Sequence, residues 1–259
     1  MHPPETYTKL GLLAGLLASA IWGGMYVVSK VVLEVIPPFT LLSFRLVLGT
    51  LALGLWLAWR RKLPKLDRSQ WLGFLGVGVL GYAVSLGLQF LGTRLSNASN
   101  AAVVTSATPA FVYLFAAILL HEKFSRRRLL ALVLSTFGVI AVIDPGRAAL
   151  LPELWRGNLI LVLAAITWAL YSVLARKATQ ELGALSFTFV ALIGGLLASV
   201  PLAFWEFSQN QPMSMNASIF AGVLYLGLIS TALAAWLWNL AFERLEAGLA
   251  SLTSLLNPW

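Results

Sequence analysis

From Leu95 to Leu120 the chain carries no charged residue. A bilayer crossing needs about 20 mostly apolar residues, so this run is long enough to cross. Its composition is not that of a plain anchor. The first half is dense in Ser, Asn, Thr and Ala, and Pro109 sits inside it. Small and hydroxylated residues let neighbouring helices approach and hydrogen-bond. A proline at membrane depth frees backbone carbonyls, which is tolerable only against protein or a wet cavity. The run therefore reads as an inner helix lining something, kinked at Pro109. The chain then begins it again: Arg244 to Trp259 reads RLEAGLASLTSLLNPW, with Arg-Leu at the start and Pro258 at nearly the same distance.

The whole sequence has the same character. Of 259 residues, 59% are hydrophobic and 11% charged, against about 25% charged in soluble proteins. This is the composition of an all-α polytopic membrane protein. There is no cysteine, so neither disulfides nor thiolate metal sites are available. The net charge of +8 does not point to nucleic acid, because the bases lie in short loops between apolar runs. The apolar run from Leu10 to Ser29 is too long for a signal-peptide core, and no small-residue cleavage site closes it.

Nine apolar segments are expected, at about 10–35, 39–59, 71–93, 95–120, 129–143, 157–175, 182–205, 219–242 and from 247 onward. Pro37-Pro38 separates the first two, and Asp144-Pro145-Gly146 follows the fifth. With the N-terminus inside, thirteen Lys and Arg fall on the cytoplasmic side and four (Lys30, Arg94, Arg147, Arg156) outside. That bias predicts a cytoplasmic N-terminus.

An internal repeat organises the segments. Ala20-Ile21 and Tyr26 match Ala165-Ile166 and Tyr171, and Trp22 falls near Trp168. Leu42-Ser43-Phe44 and Val47 match Leu185-Ser186-Phe187 and Val190. Gln89 and Arg94-Leu95 match Asn239 and Arg244-Leu245. Each repeat holds five segments, with expected boundaries at 1–147 and 148–259. Five is odd, so the second copy enters from the opposite side. Inverted repeats of this kind place a substrate site near the midplane, between the halves.

The repeated pattern resembles the drug/metabolite transporter superfamily, in particular its EamA-type members. The resemblance rests on Trp22-Gly23-Gly24 followed by Ser29-Lys30, on Phe44-Arg45, on Ala102 through Pro109, and on His121-Glu122-Lys123 opening a basic loop. It implies ten helices in two inverted halves, and export or exchange of amino acids and related metabolites. About nine helices are present here. Comparison with the first repeat leads us to expect a further tail of about 35 residues beyond Trp259 in the natural chain.

No acidic residue or histidine lies deep in a predicted segment. This argues against an intramembrane proton relay and against a membrane enzyme, since no acid/base pair, metal cluster or nucleophile–base set is available. No catalytic residue, metal or cofactor is therefore expected. Arg45 is the one cation well inside a segment, about 10 Å deep. It is either a functional residue or a structural tie to neighbouring helices. Trp22, Tyr26, Tyr82, Trp168, Tyr171 and Trp236 lie away from segment ends, where an indole N–H or phenol needs a partner. They are expected to line a cavity, with buried packing as the alternative. Gln89, Asn100, Thr105, Asn239, Ser251 and Ser254 would supply neutral hydrogen bonds there, with interhelical contact as the alternative. The glycines of the third segment (Gly73, Gly76, Gly78, Gly81) are expected to permit close helix packing.

These features lead to a secondary transporter or exporter of small metabolites working by alternating access, in a bacterial cytoplasmic membrane. Its partners would be a small-molecule solute and the lipid bilayer, with no nucleic acid. A neutral, aromatic and hydroxyl-lined cavity suits amino acids or similarly amphipathic solutes. One alternative is an exchanger of phosphorylated metabolites or nucleotide sugars, which would need a cluster of cations in the cavity. A membrane-embedded enzyme or scaffold is the other.

Overall fold

The structure, a computed structural model, describes residues 5–96, 101, 104, 107–122, 130, 133, 155–209, 213 and 215–253. The helices are α1 (Glu5–Leu33), α2 (Pro38–Trp59), α3 (Arg68–Leu95), α4 (Thr108–Leu119), α5 (Trp155–Leu182), α6 (Ala184–Ser208), α7 (Ala217–Arg244) and α8 (Ala247–Leu252). Helix α4 is the second half of the fourth predicted segment, and α5 to α8 are the sixth to the ninth. The fifth segment lies almost wholly outside the described residues. Six of the described helices are long and apolar enough to span a membrane.

Local chemistry sets the ends. Pro37 is extended, and Pro38 opens α2 where a missing N–H costs no helix bond. Asp67 caps α3 in a reciprocal capping box with Gln70, and Asn216 accepts from Ile219 N at the start of α7. Gly183 alone separates α5 from α6, at φ +79°. A side chain there would be strained. Helix α5 runs to Leu182 and α6 to Ser208, beyond the predicted ends at 175 and 205. The predicted boundaries follow hydropathy, but the charged residues Arg176, Lys177 and Glu181 continue the helix past the apolar stretch.

Two helices have an unforeseen break in their turn. Val79–Ser85 in α3 and Tyr225–Leu233 in α7 are π-helical. They occupy nearly the same place in the two helices that the repeat makes equivalent. π-Turns of this kind concentrate at functional sites.

The packing follows the repeat. Helix α1 packs along α7, and α5 packs along α3. Exchange of the two halves converts one pair into the other. The equivalent helices α2 and α6 pack directly on each other and run antiparallel: Thr40 meets Glu206, Ser43 meets Ser199, Gly49 meets Leu192 and Gly54 meets Phe189. Parallel repeats would have placed these two helices in the same direction.

One core cluster joins α2, α3, α5 and α6 around Leu46, Phe74, Tyr82, Tyr171 and Phe187. Another joins α1, α4, α5, α7 and α8 around Val112, Val173, Trp238 and Phe242. Outward, large apolar side chains are bare: Leu55 is 70% and Phe204 71% exposed. Such a belt is satisfied by lipid and costly in water.

Carboxylates tie the ends of helices from different halves. Glu206, buried near the end of α6, accepts from Phe39 N at 3.1 Å and Thr40 N at 2.8 Å, at the start of α2. Glu122, just past α4, accepts from Ala247 N at 2.8 Å and Gly248 N at 3.3 Å, at the start of α8. It also pairs with Arg176 of α5 at 3.3 Å, and Arg176 donates to the Leu245 carbonyl. Each tie places a negative charge on the unpaired N–H groups of a helix start.

Candidate functional site

The aromatic residues meet where α1, α3, α5 and α7 converge. Trp22 of α1 stands edge-on to Trp168 of α5 with ring centroids 5.6 Å apart. Trp238 of α7 lies 5.2 Å from Trp22. Tyr171, one turn on from Trp168, lies 4.8 Å from it, and Tyr82 of α3 is 5.2 Å from Tyr171. Trp22 and Trp168 are half-buried, whereas Tyr82, Tyr171 and Trp238 are enclosed. Helical spacing explains the grouping on α5, since residues three apart share a face.

Several polar atoms of this cluster have protein partners. The Tyr171 hydroxyl donates to that of Tyr82 at 2.8 Å. The Asn239 amide, fully buried, lies 3.1 Å from the Tyr171 hydroxyl and donates through Nδ2 to Thr188 Oγ1 at 2.8 Å. One line of hydrogen bonds thus joins α3, α5, α7 and α6. Trp238 Nε1 donates to Ser172 Oγ at 3.3 Å, and Trp22 Nε1 donates to the Ser230 carbonyl at 3.0 Å. Ser230 lies in the π-helical part of α7.

Arg45 sits beside this cluster, joined to it through the same serine. It is the eighth residue of α2 and only 2% exposed. Its Nε donates to Thr231 Oγ1 at 3.1 Å, and its Nη2 donates to Ser230 Oγ at 3.2 Å and faces Met25 Sδ at 3.3 Å. Its guanidinium carbon lies 5.3 Å from the Phe90 ring centroid. Among the described residues, Nη1 is buried with no hydrogen-bond partner.

The structure thus brings together Trp22, Tyr82, Trp168, Tyr171 and Asn239, with Arg45 alongside. Trp236 is half-buried on α7 and is not one of the rings that pair in the cluster among the described residues. Trp238, two residues on, takes that place. Gln89 is half-buried on α3, two turns past Tyr82. Ser251 is buried in α8 and donates to the Gly248 carbonyl at 3.0 Å. Pro109 is the second residue of α4, in its first turn, where a proline breaks no helix bond. The side chain of Tyr26, and all of Asn100, Thr105, Ser254 and Pro258, lie outside the described residues. Thr188, Ser172 and Ser230 were not singled out from sequence. They carry no signal among the many Ser and Thr of the chain.

Among the described residues no group of three or more His, Cys, Asp and Glu is placed to hold a metal. What the arrangement offers is broad aromatic surface, a few fixed hydroxyl and amide groups, and one buried cation. That combination can bind an amphipathic solute.

The sequence model of the EamA-like transporter family matches residues 9–143 and again residues 155–259. An uncharacterized transporter of Archaeoglobus fulgidus is 26% identical over 93% of this chain and 83% of its own length. The uncharacterized transporter YetK of Bacillus subtilis is 28% identical, over 96% of this chain and 77% of its own. The uncharacterized inner membrane transporter YhbE of Escherichia coli is 25% identical, over 88% and 74% respectively. A crystal structure 21% identical in sequence superposes with a TM-score of 0.77, over 96% of this chain and 84% of that one.

Proposed function

Since this chain belongs to the EamA-like transporter family and is an integral membrane transporter, we propose that its cargo is an amino acid or a similarly amphipathic solute, carried by alternating access between the two halves. The boundaries we assign to the halves are 1–147 and 148–259. The observation that carries the cargo assignment is the line Tyr82–Tyr171–Asn239–Thr188 lying against Trp22 and Trp168. Neutral donors and acceptors beside half-buried indoles match a solute with one apolar and one polar end. The meeting of helices from both halves is where inverted-repeat transporters hold substrate. We place the protein in a bacterial cytoplasmic membrane with its N-terminus inside.

Phosphorylated metabolites or nucleotide sugars fit less well. Their charge calls for several cations, and among the described residues Arg45 is the one buried Lys or Arg. Uptake of radiolabelled amino acids, sugars and sugar phosphates into proteoliposomes tests the assignment. Saturable uptake of an amino acid is expected. Uptake confined to sugar phosphates would reverse it.

A further inference from the structure

We propose that the free edge of Arg45 is a carboxylate-binding site, and that it receives the carboxylate of the transported solute. The inference rests on the amphipathic-solute reading above and narrows it to monocarboxylates with an apolar body.

The charge of Arg45 is uncompensated. Arginine keeps its proton in proteins, and a bare cation at membrane depth is costly. Yet no carboxylate lies against it among the described residues. Its neighbours are two hydroxyls, a thioether and an aromatic face. Those groups occupy Nε and Nη2 and fix the plane of the guanidinium. Nη1, with two N–H donors, is left buried and unpartnered among the described residues. A purely structural arginine would be expected to spend that nitrogen on a neighbouring carbonyl, since a buried unpaired donor costs the full loss of its hydration.

The stoichiometry of charge selects the ligand. One isolated cation is neutralised by one monoanion. A phosphate dianion would bring excess charge, with no second buried cation among the described residues to meet it. Ser230 places the guanidinium next to the aromatic cluster: its hydroxyl accepts from Nη2 of Arg45, and its carbonyl accepts from Trp22. A carboxylate held by Arg45 would have the Trp22 ring close by as a surface for its apolar body.

The test uses a pair of probes alike in ring and shape, phenylacetate and phenylacetamide. Each is titrated into the purified full chain in nanodiscs and followed by tryptophan fluorescence. Charge-assisted hydrogen bonding predicts binding about tenfold or more tighter for phenylacetate. Arg45→Gln should abolish that preference, and Arg45→Lys should keep its sign while weakening it. If Arg45→Gln does not fold, judged by helicity and size exclusion, Arg45→Lys carries the comparison. Equal binding of the two probes to the wild type, or an undiminished preference in a folded variant, overturns the site. An equal response to chloride alone would make this an inorganic-anion site and overturn the solute assignment. Equal binding of both probes with amino-acid uptake intact would remove this site but leave the proposed cargo class standing. Clear phenylacetate preference without amino-acid uptake would do the opposite.

Discussion

The hydroxyl of Tyr171 donates to the hydroxyl of Tyr82 at 2.8 Å, across the boundary between the two repeated halves. Neither group touches water, and the Asn239 amide completes the set. Tyr171→Phe would leave the Tyr82 oxygen and the Asn239 amide short of a partner. The expected loss is about 1–3 kcal/mol, read as a lower thermal midpoint in detergent. Asn239→Leu should cost at least as much, because it removes one partner from each of Tyr171 and Thr188. A Tyr171→Phe protein as stable as the wild type would show that the hydroxyl line does not hold the halves together.

Trp168 and Trp238 belong to one cluster but differ in burial, and so should respond differently. Trp238 is 1% exposed. Its truncation to Ala should lower stability by about 3–5 kcal/mol. Trp168 is half-buried, and Trp168→Ala should reduce transport while leaving the melting midpoint close to normal. Both quantities are measured on the same purified variants. Full transport with lowered stability in Trp168→Ala would remove it from the solute path.

The glycines of α3 divide into two kinds. A Cβ on Gly78 would lie 2.1 Å from the Ala191 carbonyl oxygen, and one on Gly81 2.4 Å from the Tyr171 ring. Around Gly73 and Gly76 there is nothing within 4 Å. Gly78→Ala should therefore destabilise by about 1–3 kcal/mol or more. Gly73→Ala should be neutral or gain about 0.5–1 kcal/mol from helix propensity. Thermal midpoints of the two variants decide it, and equal effects would contradict the packing of α3 on α6.

The proposed orientation is open to labelling. The chain lacks cysteine, and Lys62 and Gln209 are both exposed, at the ends of α2 and α6. Lys62→Cys should react with an impermeant thiol reagent only from the cytoplasmic side, and Gln209→Cys only from outside. Reaction of both from one side would refute the topology.

How far the sequence reaches depends on what each feature needs. Spans follow from apolar length, which is a local property. Counting residues into each span puts Trp22, Trp168 and Trp236 well inside their segments. Depth does not supply rotation. Trp236 and Trp238 differ little in depth, but they lie about 200° apart around α7, and only Trp238 joins the cluster. The π-turns compound this, since they rotate everything beyond them and leave no mark in the residues that form them. Glu122 and Glu206 read from sequence as ordinary end residues. Their role as caps on α8 and α2 depends on partners more than 100 positions away. The four glycines of α3 are identical in sequence, and only the approach of α6 and Tyr171 separates Gly78 and Gly81 from Gly73 and Gly76.

The wide turns in α3 and α7 set a phase as well as a shape. Each holds a residue more than an α-helix would use to rise the same distance. Conversion of such a turn to α-geometry would pass that residue along the chain and rotate one side of the helix by about 100° against the other. In α7 the turn separates Ile219 and Val223, packed near α1, from Trp238 and Asn239. Asn239 could thus be swung off Tyr171, and Ser230 and Thr231 off Arg45, with no tilt of any helix axis. Two such turns, one in each half, lie at the depth where the halves meet, so the facing side chains depend on the turns keeping their π-geometry.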